Sequence, residues 1–140
     1  MLALRLVVDT NVLISAALKP IGLQRTVLLL ATAKPARLYV SDAILEEYGE
    51  VLARPELGIR RGLRLQLMQL IKSRSYRVAP ARRLDVGSDP DDNMFIECAD
   101  AAGADYLITG NLRHFPRFWK KTKVVTAREF VNLTAPHLIR

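Results

Sequence analysis

The run Leu4-Arg5-Leu6-Val7-Val8 stops abruptly at Asp9-Thr10-Asn11 and gives way to an apolar stretch of helical character, Val12 to Leu18. A near-continuous Val/Leu run bounded by polar punctuation reads as a buried parallel strand. This constrains the fold, because parallel strands need long crossover connections, usually helices, that cover both faces of the sheet. It also gives Asp9 an address. In open α/β sheets, ligands bind in the crevice beyond the carboxyl ends of the strands, and Asp9 emerges there. The same carboxylate, or the side-chain amide of Asn11, can instead cap the following helix. Taken alone, the position leaves both roles open.

The rest of the chain alternates in the same way. Leu23 to Ala33 reads as a second helix after a Pro20/Gly22 turn. Arg37 to Val40 is a short strand, and Ser41 caps a helix running through Leu45, Tyr48 and Leu52 to near Pro55. Residues 59–73 form an amphipathic helix with Leu63, Leu67, Leu70 and Ile71 at helical spacing, and Tyr76-Arg77-Val78 is a brief strand. Pro80 to Pro90 is a polar loop, after which Asp89 caps a helix with Pro90 in its first position. That helix passes through Phe95, Cys98, Ala99 and Ala102 and ends near Gly103. Tyr106 to Thr109 and Lys123 to Val125 are strands, and Thr126 with Glu129 forms a capping box for the last helix. The pattern implies an α/β fold with a mainly parallel central sheet of about four to five strands, flanked by helices on both faces. Residues 1–140 are expected to form a single domain.

Composition removes several function classes. With 50% hydrophobic and 25% charged residues the chain is not of disordered type. No apolar run reaches the ~20 residues that span a bilayer, and residues 1–18 lack the order of a signal peptide. One cysteine excludes an intrachain disulfide and a Cys-rich zinc site; Cys98 reads as a packed, unreactive thiol. A cytoplasmic protein without membrane attachment is the expectation. Twenty-one Lys and Arg against fourteen Asp and Glu give a net charge of +7, which favours a polyanionic partner. The basic residues concentrate at Arg54 to Arg64, Lys72 to Arg83 and Arg113 to Lys123.

The carboxylates can then be placed. Asp9 follows the first strand, Glu47 lies about two turns into the helix after the second, and Asp92 lies in the first turn after the polar loop. Thr109-Gly110-Asn111 ends a later strand and repeats the arrangement of Asp9-Thr10-Asn11. Four polar groups from distant parts of the chain can thus converge on one sheet edge. Clustered like charges raise one another's pKa and call for a counter-ion. Hard oxygen donors without an accompanying histidine suit Mg²⁺ or Mn²⁺ rather than zinc.

These residues carry a resemblance. Val7-Val8-Asp9-Thr10-Asn11-Val12, Ser41 through Glu47-Tyr48, Asp89-Pro90-Asp91-Asp92-Asn93-Met94-Phe95 and Ala104 through Asn111 resemble, in order, the four motifs of the PIN-domain family. This is a family of metal-dependent nucleases that includes the toxin ribonucleases of bacterial toxin–antitoxin pairs. The resemblance is closest to the toxin subgroup, whose fourth motif continues as Asn111-Leu112-Arg113-His114-Phe115 does here. It implies a divalent-metal-dependent endoribonuclease with Asp9, Glu47 and Asp92 as catalytic, metal-binding acids. Asn111 would assist at the metal, and Thr10, Asn11 and Thr109 would support the acids. It further implies products with 5′-phosphate and 3′-hydroxyl ends, a homodimer, and an antitoxin that blocks the site. Many relatives carry Asp where this chain has Asn111, and an amide brings no negative charge.

Arg82, Arg83 and Arg113 are the residues expected to hold the RNA backbone, with single-stranded RNA as substrate. Around the acids, Glu46 and Glu50 read as exposed neighbours, Asp91 as solvated or capping, Asp105 as a turn residue, Asp100 as part of a solvated helix face, and His114 as loop packing. The alternative within the same fold is a degenerate PIN domain, a nucleic-acid or protein-binding module without nuclease activity, motivated by Asn111. A phosphotransfer or phosphatase-like α/β enzyme is disfavoured: there is no phosphate-cradling Gly-rich loop and no second Asp two residues after Asp9.

Overall fold

In the computed structural model, which describes residues 3–85 and 89–139, the opening run forms the strand β1 (Arg5–Val8). Leu6, Val7 and Val8 are consecutive, and none is more than 1% exposed. Because successive strand side chains point to opposite faces, both faces of β1 are covered. On one side β1 pairs in parallel with β2 (Arg37–Val40), Leu6 opposite Leu38. On the other it pairs in parallel with β4 (Tyr106–Ile108), Val8 opposite Ile108. β3 (Ser75–Arg77) adds in parallel beyond β2, and β6 (Thr122–Val125) beyond β4. The sheet therefore has six strands in the order β3-β2-β1-β4-β6-β5.

The sixth strand is one more than the sequence led us to expect. β5 (Phe118–Trp119) is a two-residue antiparallel partner of β6, too short to show any alternation. It is pinned by Asp100, whose expected place on a solvated helix face is corrected here. The Asp100 carboxylate accepts from the Trp119 indole N–H at 3.1 Å and from Lys120 Nζ at 2.8 Å, and lies 3.6 Å from Arg82. Lys120, first among these donors, holds the Asp100 carboxyl below its ordinary pKa.

Six helices fill the connections: α1 (Thr10–Leu18), α2 (Leu23–Ala31), α3 (Asp42–Leu52), α4 (Arg61–Arg74), α5 (Asn93–Ala102) and α6 (Ala127–Thr134). Their starts follow the expected caps. Ser41 Oγ accepts from the Ile44 N–H, Asp89 accepts from the Asp91 N–H, and Thr126 and Glu129 make the reciprocal capping box. Asp89 and Pro90 open a short 3₁₀ turn, Pro90–Asp92, from which α5 continues. Residues 80–85 of the expected loop are irregular, and Val86, Gly87 and Ser88 lie outside the described residues. Asp105 does more than turn the chain: its carboxylate accepts from the Arg5 N–H at 2.8 Å and so anchors the start of β1. Cys98 is buried in the core, and burial pushes its thiol up to about 12, which keeps it protonated. Among the described residues no single helix is long and apolar enough to cross a membrane.

The strand order reverses between β1 and β4. From β1 the chain builds outward through β2 to β3; from β4 it builds the other way to β6. Such a switch point opens a crevice at the carboxyl ends of the two central strands, where Asp9 and Thr109 begin the following segments.

Candidate active site

Asp9 occupies the residue position before α1, yet its side chain makes no capping hydrogen bond. Its Oδ2 instead accepts from the Thr109 hydroxyl at 2.7 Å. This separates the two roles that the sequence left open: the carboxylate is turned toward β4 and the crevice, not toward the helix. Thr109 is fully buried, and its Oγ1 in turn accepts from the Asn111 N–H at 2.9 Å.

The next two residues make separate ties. The Thr10 hydroxyl donates to Glu47 Oε2 at 3.3 Å, and Asn11 Oδ1 accepts from the Gly110 N–H at 3.0 Å. A Cβ at Gly110 would meet that Asn11 oxygen at 3.3 Å, so the close approach suits glycine. Tyr48, beside Glu47, is buried and donates its hydroxyl to the Val8 carbonyl, fastening α3 to the end of β1. Three consecutive residues after β1 thus hold the ends of β4 and α3 in register.

Asp9, Glu47, Asp92 and Asn111 line one cleft of about 510 Å³, together with Thr10 and Asn11. Asp89, Asp91, Glu56, Arg54 and His114 complete its walls. The electrostatics follow from this crowding. Burial, reinforced by the charges of Asp92 and Glu47 and opposed by the Thr109 hydrogen bond, pushes the Asp9 carboxyl up to about 6. Burial also raises Glu47, against the Thr10 hydrogen bond, and raises Asp92, against the nearby His114.

His114 is therefore not simply loop packing. Its Nδ1 lies 3.1 Å from Asp92 Oδ2 and faces the cleft. Apart from this imidazole, the buried Asp92 Oδ2 has no hydrogen-bond donor among the described residues. Nothing in the neighbouring Phe115-Pro116 announces this contact. Arg54 was also missed as a cleft residue: the sequence shows it only as one of a basic cluster, and in the structure it also meets Glu50 at 3.1 Å. It lies two residues beyond the end of α3 in extended backbone, so no helical spacing announces it.

The expected RNA contacts are placed differently. Arg82 and Arg83 line a separate groove with Ser41, Asp42 and Glu97 rather than the carboxylate cleft. Arg113 is exposed on the 3₁₀ turn Leu112–His114, next to the cleft residue His114. Among the described residues, no three His, Cys, Asp or Glu side chains are already gathered to metal-ligand spacing. The carboxylates line a shared cleft without closing around a point. That arrangement fits a strongly hydrated ion, since Mg²⁺ is usually bound through one or two carboxylates plus waters and substrate phosphates.

Residues 5–113 match the PIN domain family, a span that includes Asp9, Glu47, Asp92 and Asn111. The chain belongs to the PIN-domain family. Members of that family are generally nucleases and typically depend on a divalent metal. This PIN domain is 31% identical over 141 residues to an uncharacterized protein of Methanocaldococcus jannaschii, covering 92% of this chain and 90% of that protein. Its fold is similar to a chain in the crystal structure of VapBC2 from Rickettsia felis bound to a DNA fragment from their promoter. There the TM-score is 0.59 at 16% identity, over 87% of this chain and 98% of that one.

Proposed function

We propose that this PIN domain, residues 1–140 acting as one unit, is a divalent-metal-dependent endoribonuclease and the toxin of a toxin–antitoxin pair. The observation that carries the reading is Asp9, held by Thr109 in a carboxylate-lined cleft at the switch point of the sheet. The donor set fits a hard cation. Its carboxylate and amide ligand atoms are oxygens, the buried Asp92 Oδ2 has only the His114 imidazole beside it, and the mutual crowding of the acids is relieved by positive charge. Asp9, Glu47 and Asp92 would hold Mg²⁺ or Mn²⁺, with the Asn111 carbonyl assisting.

When bound, such an ion supplies a water of lowered pKa and neutralises charge on phosphate oxygens. The chain's own residues do the positioning. Thr109 fixes the orientation of Asp9, and Thr10 that of Glu47. His114 sets its Nδ1 3.1 Å from Asp92 Oδ2, and Arg54 is placed to meet a phosphate on the cleft wall. The substrate in this reading is single-stranded RNA, cut to leave 5′-phosphate and 3′-hydroxyl ends, and the protein works in the cytoplasm as a homodimer. The likeness to a VapBC2 structure supports a cognate antitoxin as partner.

A second reading rests on Asn111. An amide in place of a carboxylate weakens the cation site, and a PIN domain so weakened would bind RNA without cutting it. One assay separates the two. Purified protein is given labelled RNA with Mn²⁺, Mg²⁺ or chelator, beside Asp9→Asn and Asp92→Asn variants. Cleavage that needs the ion and is lost in both variants supports the nuclease; binding without cleavage supports the second reading. Cleavage in chelator, or by both variants at the wild-type rate, would sink the proposal.

A further inference from the structure

The carboxylate cleft does not end at Asn111. Asn11, Ser15 and Asn111 line it and also line a second groove of about 580 Å³, bounded further by Leu23, Gln24 and Arg128. Both volumes fall in the roughly 300–1,000 Å³ range of ligand sites. The two make one trough along the carboxyl edge of the sheet, past the ends of β1, β4 and β6.

The halves differ in chemistry. The first is walled by six carboxylates, Asp9, Glu47, Glu56, Asp89, Asp91 and Asp92, with Arg54 and His114 among them. The second has no carboxylate among its described lining residues, and Arg128 is its one charged side chain. Arg128 is exposed in the first turn of α6 and makes no ion pair among the described residues; the neighbouring Glu129 is taken by Arg117 and by the capping box. A cation in the first turn opposes the helix dipole, so stability of α6 does not account for it. The capping box already takes the Thr126 and Glu129 N–H groups, and the inference rests on the Arg128 side chain rather than on the helix end.

We infer that the second half is a strand-binding subsite, taking the backbone of single-stranded RNA next to the bond that is cut, with Arg128 on a phosphate. The inference rests on the ribonuclease reading and adds to it where the substrate's affinity comes from. Without a metal, six carboxylates against Arg54 make the acidic half repel a polyanion on balance, whereas the Arg128 half attracts it, so the strand gains a grip beside the acids. Arg82 and Arg83, in their separate groove, are not needed for this grip.

The test is binding of a short fluorescent single-stranded RNA to the full chain in chelator, read by anisotropy across a salt series. Arg128→Ala is compared with Arg128→Lys and with Arg61→Ala, which removes the same charge from an exposed position on α4. Loss of a charge-assisted phosphate contact weakens binding about tenfold in Arg128→Ala. It also makes the log–log salt slope shallower by about one. Arg128→Lys restores most of the slope, and Arg61→Ala stays within about twofold of wild type. If RNA binds but Arg128→Ala and Arg61→Ala behave alike, this inference is overturned while the ribonuclease reading stands. If the wild type binds no RNA in chelator at any salt concentration, this inference is overturned, and the ribonuclease reading is decided separately by the cleavage assay with Mn²⁺.

Discussion

Thr109 and Asp9, 100 positions apart in the chain, are joined by a 2.7 Å hydrogen bond buried between the ends of the two central strands. The bond does two things with one hydroxyl. It aims the carboxylate into the cleft, and through the Asn111 N–H it fixes the loop that follows β4. Thr109→Val keeps the shape and removes both contacts. Leaving a buried acceptor and a backbone donor unpaired is expected to cost about 2 kcal/mol in urea unfolding. RNA cleavage is expected to slow with little change in RNA affinity, and Thr109→Ser to recover most of both.

The Asp9 carboxyl, pushed up to about 6 from 3.8, makes stability depend on pH. The folded value lies above the unfolded one, so the fold favours the protonated form. The contribution is complete below about 4 and is lost as pH rises through 6, a change of roughly 3 kcal/mol. Glu47 and Asp92 are raised too and act in the same direction. In chelator, Asp9→Asn should therefore flatten the fall in stability between pH 4 and 7 and be more stable than wild type at pH 7.5. Parallel pH profiles for the two proteins would contradict this.

Asn111→Asp tests the amide in the cleft. Added negative charge should lower the melting temperature of the metal-free protein, because it joins acids that already crowd one another. In the presence of Mn²⁺ the sign reverses, and calorimetry should show binding tighter by roughly tenfold. Unchanged affinity and unchanged melting would place Asn111 outside the cation site.

Tyr48→Phe removes the hydroxyl that joins α3 to the Val8 carbonyl while keeping the buried ring. The expected loss is about 1 kcal/mol in chemical denaturation. Because Tyr48 neighbours Glu47, cleavage should fall by more than this modest loss of stability explains; cleavage at the wild-type rate would show that the tie serves folding alone.

Much of this was legible from residues whose chemistry has few uses. Ser41, Asp89 and the Thr126/Glu129 pair have local hydrogen-bonding roles at helix starts, and each takes one. The buried strand ending at Asp9 and the order of Glu47, Asp92 and Asn111 placed four polar residues at one edge, and all four line one cleft. What stayed hidden depends on tertiary contact. Whether Asp9 caps α1 or faces Thr109 is a question about a residue 100 positions away. Asp100 reads as surface until β5 folds Trp119 and Lys120 onto it. His114 sits in a short 3₁₀ turn whose aim is set by Asn111 and β4, not by its own neighbours. Arg82 and Arg83 carry the right charge, but charge alone says nothing of which groove they enter.

The reversal of strand order between β1 and β4 has a consequence during synthesis. β1 leaves the ribosome well before its central neighbour β4 and the hydroxyl that holds Asp9, which are encoded at residues 106–109. A nascent chain, or a fragment left by premature termination before that point, contains Asp9, Glu47 and Asp92 and still has no cleft to put them in. The proposed activity would therefore have to wait until the two central strands meet.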